Sequence, residues 1–456
     1  MIAYRSLYVW LAGISVSSAL SAPSPRVPWP AQASHRVHSA CRVLAVAVHA
    51  LTLADGRTLT IDTHSAAYNG TSAFFAGNRI YIWPRNSSKS SLPTDASAST
   101  YLGILIDSTQ TVTLVPNPLA PRVAVAPRVA SDGRGGWHVI FTTGNPGGLT
   151  GPAMLDTATV WYGHFEGAKW TELSKIANVS SVYPLETNSS ALVVADGTLN
   201  WALPFDRSWY LKSNASGNQG VILFRRSGGR WRQDTLRTWA GPFAVRAIAR
   251  ANSDRLTVAI VQDYFEKHRP RHAAVFIATY DRSWTIPRKV AGDGEHGVTD
   301  AMIAPLDTGF VLGWKTTENA GAEGGMLSWV VFSGPEDTGA EVHDMGPLNP
   351  LDWPILRVLD STTVIWLTRA HASRDSVDFL AIRNRTTRDI GAIRLPLDNF
   401  GPEAVVLSPT RLLVVTGASG RERERDGPAS ILSLVRLTCS DPKRDTLGGD
   451  RPARAR

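Results

Sequence analysis

The chain has 456 residues, 43% hydrophobic and 19% charged, a balance that excludes both a disordered protein and a multi-span membrane protein. Its formal charge of +8 is partly terminal, because residues 1–40 carry +3 through Arg5, Arg26 and Arg36, and residues 440–456 carry +2. About +3 remains for the folded part, too little for a surface that tracks phosphates, so no nucleic-acid partner is expected.

Residues 1–21 read as a cleaved secretory signal: one early Arg5, an apolar run from Leu7 to Val16, then small residues with Ala19 at the −3 position for cleavage near Ser21. The run is shorter than the roughly 20 residues a bilayer span needs, and no later segment is long and apolar enough, so no transmembrane segment is expected. The chain is therefore expected to be secreted, periplasmic or held at the cell surface. Residues 22–40 read as a flexible Pro/Ala/His linker and 440–456 as a disordered basic tail. The only two cysteines, Cys41 and Cys439, flank everything between. An even count in an oxidising compartment favours a disulfide, which a fold can form only if it brings the chain ends together.

Between the cysteines one unit recurs: strand, tight turn, strand, long loop, strand, turn, strand. The second strands are RIYIW (79–83), GWHVIF (136–141), TLNWAL (198–203), RLTVAIV (255–261), GFVLGW (309–314), TVIWL (363–367) and RLLVV (411–415), beginning roughly 45 to 62 residues apart. Third strands follow as YLGILI (101–106), TVWYGHF (159–165), GVILFRR (220–226), AAVFIATY (273–280), SWVVF (328–332), VDFLAI (377–382) and ILSLVRL (431–437). Their β-branched and aromatic content, without a sustained 3.6-residue period, predicts an all-β fold. Repeats of this length and pattern predict a β-propeller of seven four-stranded blades.

Fourth strands are visible in six units, as at Trp170, Trp231 and Trp284, but the seventh lacks one. The unmatched segment RVLAVAVHALTL (42–53) is expected to supply it, closing the ring and setting Cys41 beside Cys439. The hairpin turns are short, whereas the second-to-third loops are long and gather on the opposite face, where recognition residues belong.

The turns HFEGAKW (164–170), RRSGGRW (225–231) and TYDRSW (279–284) resemble the Asp-box repeats of sialidase-type propellers, in which a Trp opens the fourth strand. The resemblance implies a propeller and, in its catalytic members, glycoside hydrolysis. The Phe/Tyr-Arg-Ile-Pro string carrying the family's first catalytic arginine is absent; Arg79-Ile80-Tyr81 is the nearest and lies inside a strand.

On the long-loop face the densest cluster is Asp263, Tyr264, His268, Arg269, Arg271 and His272, which combines a carboxylate, a phenol, imidazoles and guanidiniums suited to an anionic sugar. Pro270 opposes the helix that the spacing of His268 and His272 would need to hold zinc, so no metal and no cofactor are expected. Asp206, Arg207, Trp209 and Tyr210, on the neighbouring unit, pair aromatic planes with hydrogen-bonding groups. Arg128, Arg246, Asp300, Trp353 and Glu403 align at equivalent positions in the first strands. If the protein is an enzyme, the acid and base candidates are Asp263, Tyr264, Asp300 and Glu403, and a mixed-charge channel is the plainer reading of the first-strand set.

RERERD (421–426) reads as a solvated charge run, and Asn69, Asn86, Asn178, Asn188, Asn214 and Asn384 sit in glycosylation sequons that a eukaryotic host could use. The function expected is a monomeric exported propeller that recognises a glycan or protein ligand on its long-loop face. A sialidase-like hydrolase or lyase and a structural envelope scaffold are the alternatives.

Overall fold

The computed structural model describes the strands between Val37 and Cys439 and most of the tight turns. Residues 1–36, 440–456 and the long connections, including 61–71, 84–100, 144–156, 181–189, 207–218, 319–324, 370–375 and 418–429, with several shorter ones, lie outside the described residues. The described strands gather into seven sheets of four or more strands plus one two-stranded ribbon. The fold is an all-β propeller, as the repeat predicts.

Blade 1 contains Ser72–Ala76, Arg79–Trp83, Tyr101–Asp107 and Thr111–Pro116. Blade 2 contains Ala124–Ser131, Trp137–Thr143, Thr157–Glu166 and Lys169–Ser180. Blade 3 is built from Ala191–Ala195, Thr198–Asp206, Gln219–Ser227 and Arg230–Arg237. Blade 4 follows with Pro242–Ala249, Leu256–Gln262 and Ala274–Asp281, and its outer edge is split into Ser283–Trp284 and Arg288–Ala291. Pro287, inside the expected fourth strand, has no N–H to give the ladder, which accounts for the split. Blade 5 runs His296–Leu306, Gly309–Glu318, Gly325–Phe332 and Val342–Leu348, and blade 6 Ile355–Asp360, Thr363–Arg369, Ser376–Arg383 and Thr386–Arg394.

Blade 7 has Glu403–Ser408, Arg411–Gly417 and Ser430–Cys439, and its outer strand is Cys41–Val48 from the opposite end of the chain. That strand runs antiparallel to Ser430–Cys439 with Cys41 directly opposite Cys439. The first strand of each blade packs against that of the next, and the first strand of blade 7 packs against that of blade 1, so the contacts run full circle.

The expectation of one continuous closing strand over 42–53 needs correction. Pairing with blade 7 ends at Val48; Ala50–Leu53 moves on to the outer edge of blade 1, parallel to Thr111–Pro116, and turns back as Thr58–Thr60. Upstream, Val37–His38, in the segment read as linker, pairs in parallel with Thr386–Arg394 of blade 6. The N-terminal segment is thus a strap laid along the outer edges of blades 6, 7 and 1, which satisfies backbone groups those edges would otherwise expose.

Between blades the core is apolar and holds large aromatic side chains among aliphatic ones. Trp137, Trp201, Trp329, Trp366, Tyr162 and Phe379 are all buried on second or third strands, where alternation sends successive residues to opposite neighbours. In blade 4, Val258 and Ile260 pack with Ala202, Val221 and Leu223 of blade 3, while Ala259 and Val261 pack with Leu312 and Trp314 of blade 5. The turns obey hairpin chemistry. Gly228 and Gly229 join the outer strands of blade 3 with φ of 55° and 76°, a left-handed pair that glycine adopts without a Cβ clash.

Candidate functional site

The structure distributes the sequence-selected residues as follows. Asp206 is the last residue of blade 3's second strand, opposite Gln219. Arg246 sits in the first strand of blade 4, half-buried, and its guanidinium donates to the carbonyl of Val245 at 3.1 Å. Asp300 and Glu403 lie on first strands opposite Lys315 and Val415. Arg128 is opposite Ile140 in blade 2.

Counted along the register from the hairpin turn, Arg128 and Arg246 stand at one height, whereas Asp300 and Glu403 lie nearer the long-loop face. The apparent equivalence of these positions fails because first strands differ in length and carry bulges, as at Val298/Asp300. Arg207, Trp209, Tyr210, Asp263, Tyr264, His268, Arg271, His272 and Trp353 lie outside the described residues.

One part of the blade 4 loop is built rather than irregular. Phe265–Glu266 pairs antiparallel with Arg269–Pro270, setting Glu266 opposite Arg269 and leaving 267–268 as a two-residue connection. Arg269 therefore belongs to a hairpin arm on the long-loop side of blade 4. Just before this hairpin in the chain stands a residue that sequence reasoning missed. Gln262 ends blade 4's second strand, is fully buried, and among the described residues neither its Oε1 nor its Nε2 has a hydrogen-bond partner. At the same end of blade 5, Lys315 is 4% exposed. A polar residue ending an apolar run, as in LTVAIVQ, is the signal that could have flagged both positions.

A second cluster lies at the hairpin-turn end, between blades 2 and 3. The Asp132 carboxylate caps its own turn, accepting from the amides of Arg134 (2.7 Å) and Gly136 (2.9 Å), and accepts from His164 Nε2 at 3.0 Å. His164 Nδ1 shares a 2.7 Å hydrogen bond with the Thr171 hydroxyl. Burial raises the Asp132 carboxyl, but the Arg134 amide, His164 and the Gly136 amide outweigh it and hold the group below its usual range. His138 stands opposite His164 in register, its ring centroid 5.1 Å away, and shares a 2.9 Å hydrogen bond with Tyr162. Burial first, then the nearby His164 and Arg226, push His138 down to about 4. Tyr162 is pushed up to about 12, chiefly by burial.

From blade 3, Arg226 lies 4.5 Å over the Tyr162 ring and reaches both Glu172 oxygens at 2.6 and 2.5 Å, while Trp231 meets Tyr162 edge-on at 5.4 Å. Among the described residues no group of three or more His, Cys, Asp or Glu side chains is placed to hold a metal ion. Most of these partners satisfy one another across two blades, although Arg226 Nε and Trp231 Nε1 are buried without a hydrogen-bond partner among the described residues, so the cluster joins the blades. Sequence reasoning missed it because its members come from five strands. The visible clue was a histidine inside each of two apolar strands, GWHVIF and WYGHF.

No family model and no curated protein matches the chain. Among solved structures, polysaccharide lyase Uly1 matches at 10% identity and a TM-score of 0.50, over 88% of this chain and 99% of that one. The β-propeller domain of the Trilobed protease from Pyrococcus furiosus matches at 11% identity and a TM-score of 0.42, over 74% and 85% of the two chains. Trypanosoma rangeli sialidase matches at 9% identity and 0.39, over 73% of this chain and 56% of its own. At these identities the likeness is one of fold alone.

Proposed function

We propose that the protein is an exported recognition propeller that binds an anionic glycan on its long-loop face, at blades 3 and 4. The observation that carries this reading is the hairpin arm Phe265–Arg269 on blade 4: in a stretch dense with charged, phenolic and imidazole side chains the chain is ordered as β-structure. Arg269 lies on that arm, His268, Arg271 and His272 adjoin it in the sequence, and guanidiniums and imidazoles suit the carboxylate or sulfate groups of acidic sugars. The stretch that follows Asp206 in the sequence carries Arg207, Trp209 and Tyr210, whose hydrogen-bonding and aromatic groups suit sugar rings.

The signal-like residues 1–21 support export, and the register that sets Cys41 opposite Cys439 supports a disulfide between them. The test is affinity electrophoresis of the mature chain through gels containing hyaluronan, polygalacturonate or alginate. Retardation that disappears in Arg269→Ala/Arg271→Ala supports the reading; equal mobility in all gels defeats it.

A second reading, cleavage of the same polymer with Tyr264, His268 or His272 as proton-transfer groups, is supported by the fold shared with a polysaccharide lyase. A lyase leaves an unsaturated sugar whose ultraviolet absorbance grows with time. A flat trace over hours with all three polymers leaves binding alone.

A further inference from the structure

We infer that the hairpin-turn end of the blade 3–4 junction, on the face opposite the long loops, is an anion site where Arg225, Arg230 and Arg232 hold a sulfate or phosphate group. The outer hairpin of blade 3, residues 219–237, carries five arginines and a single acid, Asp234. Strand alternation sorts them. Val221, Leu223 and Leu236 pack into the core shared with blade 4, and Arg225 continues the same side. Its register partner is Arg232, and Arg230 stands two residues before Arg232 on an unbulged strand. All three arginines therefore share the side that faces blade 4.

Like charges directly opposite on antiparallel strands, their Cβ atoms about 5 Å apart, weaken the pairing. The geometry does not require them: the corresponding third pair from the turn in blade 2 sets His164 opposite Glu172. Nor does the fold use two of the three. Arg230 and Arg232 are exposed, and among the described residues neither makes a hydrogen bond or ion pair. Asp234, the one acid of the hairpin, is engaged by the Tyr280 hydroxyl, which donates to it at 2.7 Å. Arg225, by contrast, is fixed in advance. Its Nε donates to Asn200 at 3.2 Å, and its guanidinium lies 5.0 Å from the centre of the Tyr280 ring.

One anchored guanidinium with two unengaged ones beside it is an arrangement that an anion completes. A tetrahedral oxyanion suits it better than a carboxylate, because its several oxygens can accept from forks arriving on more than one side. The approach is open: nothing lies within 4 Å of where a Cβ on Gly228 would stand, and Arg230 and Arg232 reach solvent without any rearrangement. The site uses none of the long-loop residues and so does not rest on the glycan reading. A sulfate or phosphate group can arrive as the free ion or as a substituent on a polysaccharide, and the two are separated by experiment.

The parent protein for the test carries Arg269→Ala/Arg271→Ala, which removes the long-loop arginines so that failure of the glycan reading leaves the outcome unaffected. It is compared with the same chain carrying Arg230→Gln/Arg232→Gln. In sodium chloride the added pair should leave the melting temperature equal or higher, since a like-charge opposition is relieved. Sulfate and phosphate stabilise proteins generally by exclusion, so the quantity read is the extra gain of parent over variant at equal ionic strength, expected to be about 2 °C or more. Retention on heparin–agarose is the second arm, with Lys169→Gln/Lys175→Gln as a control for loss of charge alone. Elution of Arg230→Gln/Arg232→Gln ahead of that control assigns the group to a sulfated polysaccharide; an extra thermal gain with elution matching the control assigns it to the free ion. Equal thermal gains together with elution matching the control overturn the inference. So does a variant that melts below its parent in chloride, because the arginines then serve the fold.

Discussion

Arg225 and Arg226 are consecutive on the third strand of blade 3, yet each lies over a tyrosine of a different blade. Arg226 is 4.5 Å above Tyr162 of blade 2, and Arg225 is 5.0 Å above Tyr280 of blade 4. The alternation of a strand makes this possible: neighbours in sequence point to opposite faces, and in a propeller opposite faces meet opposite blades. The Tyr280 hydroxyl donates to Asp234 at 2.7 Å, and Arg225 Nε donates to Asn200 at 3.2 Å, so each arginine is held by blade 3 or blade 2 partners as well as by the ring.

Arg226→Ala is expected to destabilise the protein by about 1–3 kcal/mol, because Glu172 and the Tyr162 ring lose their partner together. Arg226→Lys should recover only part, since an ammonium can pair with Glu172 as the single Nη2 does but cannot lie flat over the Tyr162 ring. A double-mutant cycle with Glu172→Gln in urea denaturation separates the ion pair from the stacking contribution; additive effects would show that the pair contributes nothing.

The His138 site makes stability depend on pH. Its folded value of about 4 lies below the ordinary 6.5, so between these limits the unfolded chain binds the extra proton. Stability is therefore complete above pH 6.5 and falls as pH drops toward 4, by up to about 3 kcal/mol. Asp132, lowered in the fold, adds a further loss below its ordinary 3.8. Protonated His138 would face His164 and Arg226, with Asp132 the one compensating charge. Urea midpoints at pH 7.5, 5.5 and 4.5 should converge less steeply in His138→Gln; parallel slopes in variant and wild type would count against this assignment.

Gly313, in blade 5, is a packing requirement. A Cβ there would sit 2.1 Å from the ring of Trp366, which is fully buried in blade 6. Gly313→Ala should cost about 1–3 kcal/mol through overpacking. Trp366→Phe removes the clashing ring atoms, and among the described residues the indole N–H has no partner to lose. The double variant should therefore melt above Gly313→Ala alone.

A Cys41–Cys439 bridge would close a loop of nearly 400 residues, worth on the order of 5 kcal/mol by chain entropy. Thiol titration of the unreduced exported chain in denaturant should find no free cysteine, and Cys41→Ser/Cys439→Ser should melt well below wild type. Two titratable thiols would dispose of the bridge.

Much of the ring was legible in the sequence because inner strands are chosen by burial. Runs such as RLTVAIV and TVIWL have both faces packed, and their composition marks them without reference to neighbours. The blade 7 closure was legible too, from a strand missing at one end and a spare one at the other. What escaped was decided by edges and partners. Ending the blade 7 strand at Val48 depends on blade 1 offering an open edge, and pairing of Val37–His38 depends on blade 6 offering another. The His138–His164 opposition required the hairpin register, and Gln262 looked like one more polar residue before a loop. At the candidate site, residue chemistry could be read, but height along the strands could not.

The returning outer strand of blade 7 also fixes an order of events in time. Blades 2 to 5 are each made of contiguous chain, so every one can complete its own sheet as soon as its last strand has been synthesised. Cys41–Val48 has no such option, since its partner Ser430–Cys439 is produced last. At about 5–20 residues per second, that strand waits roughly 20–80 s before it can pair. During this interval an apolar segment with a thiol at its head is available to anything else that offers a strand edge or an oxidant. The strap that seals the finished ring is thus the segment most in need of a chaperone while the ring is being made.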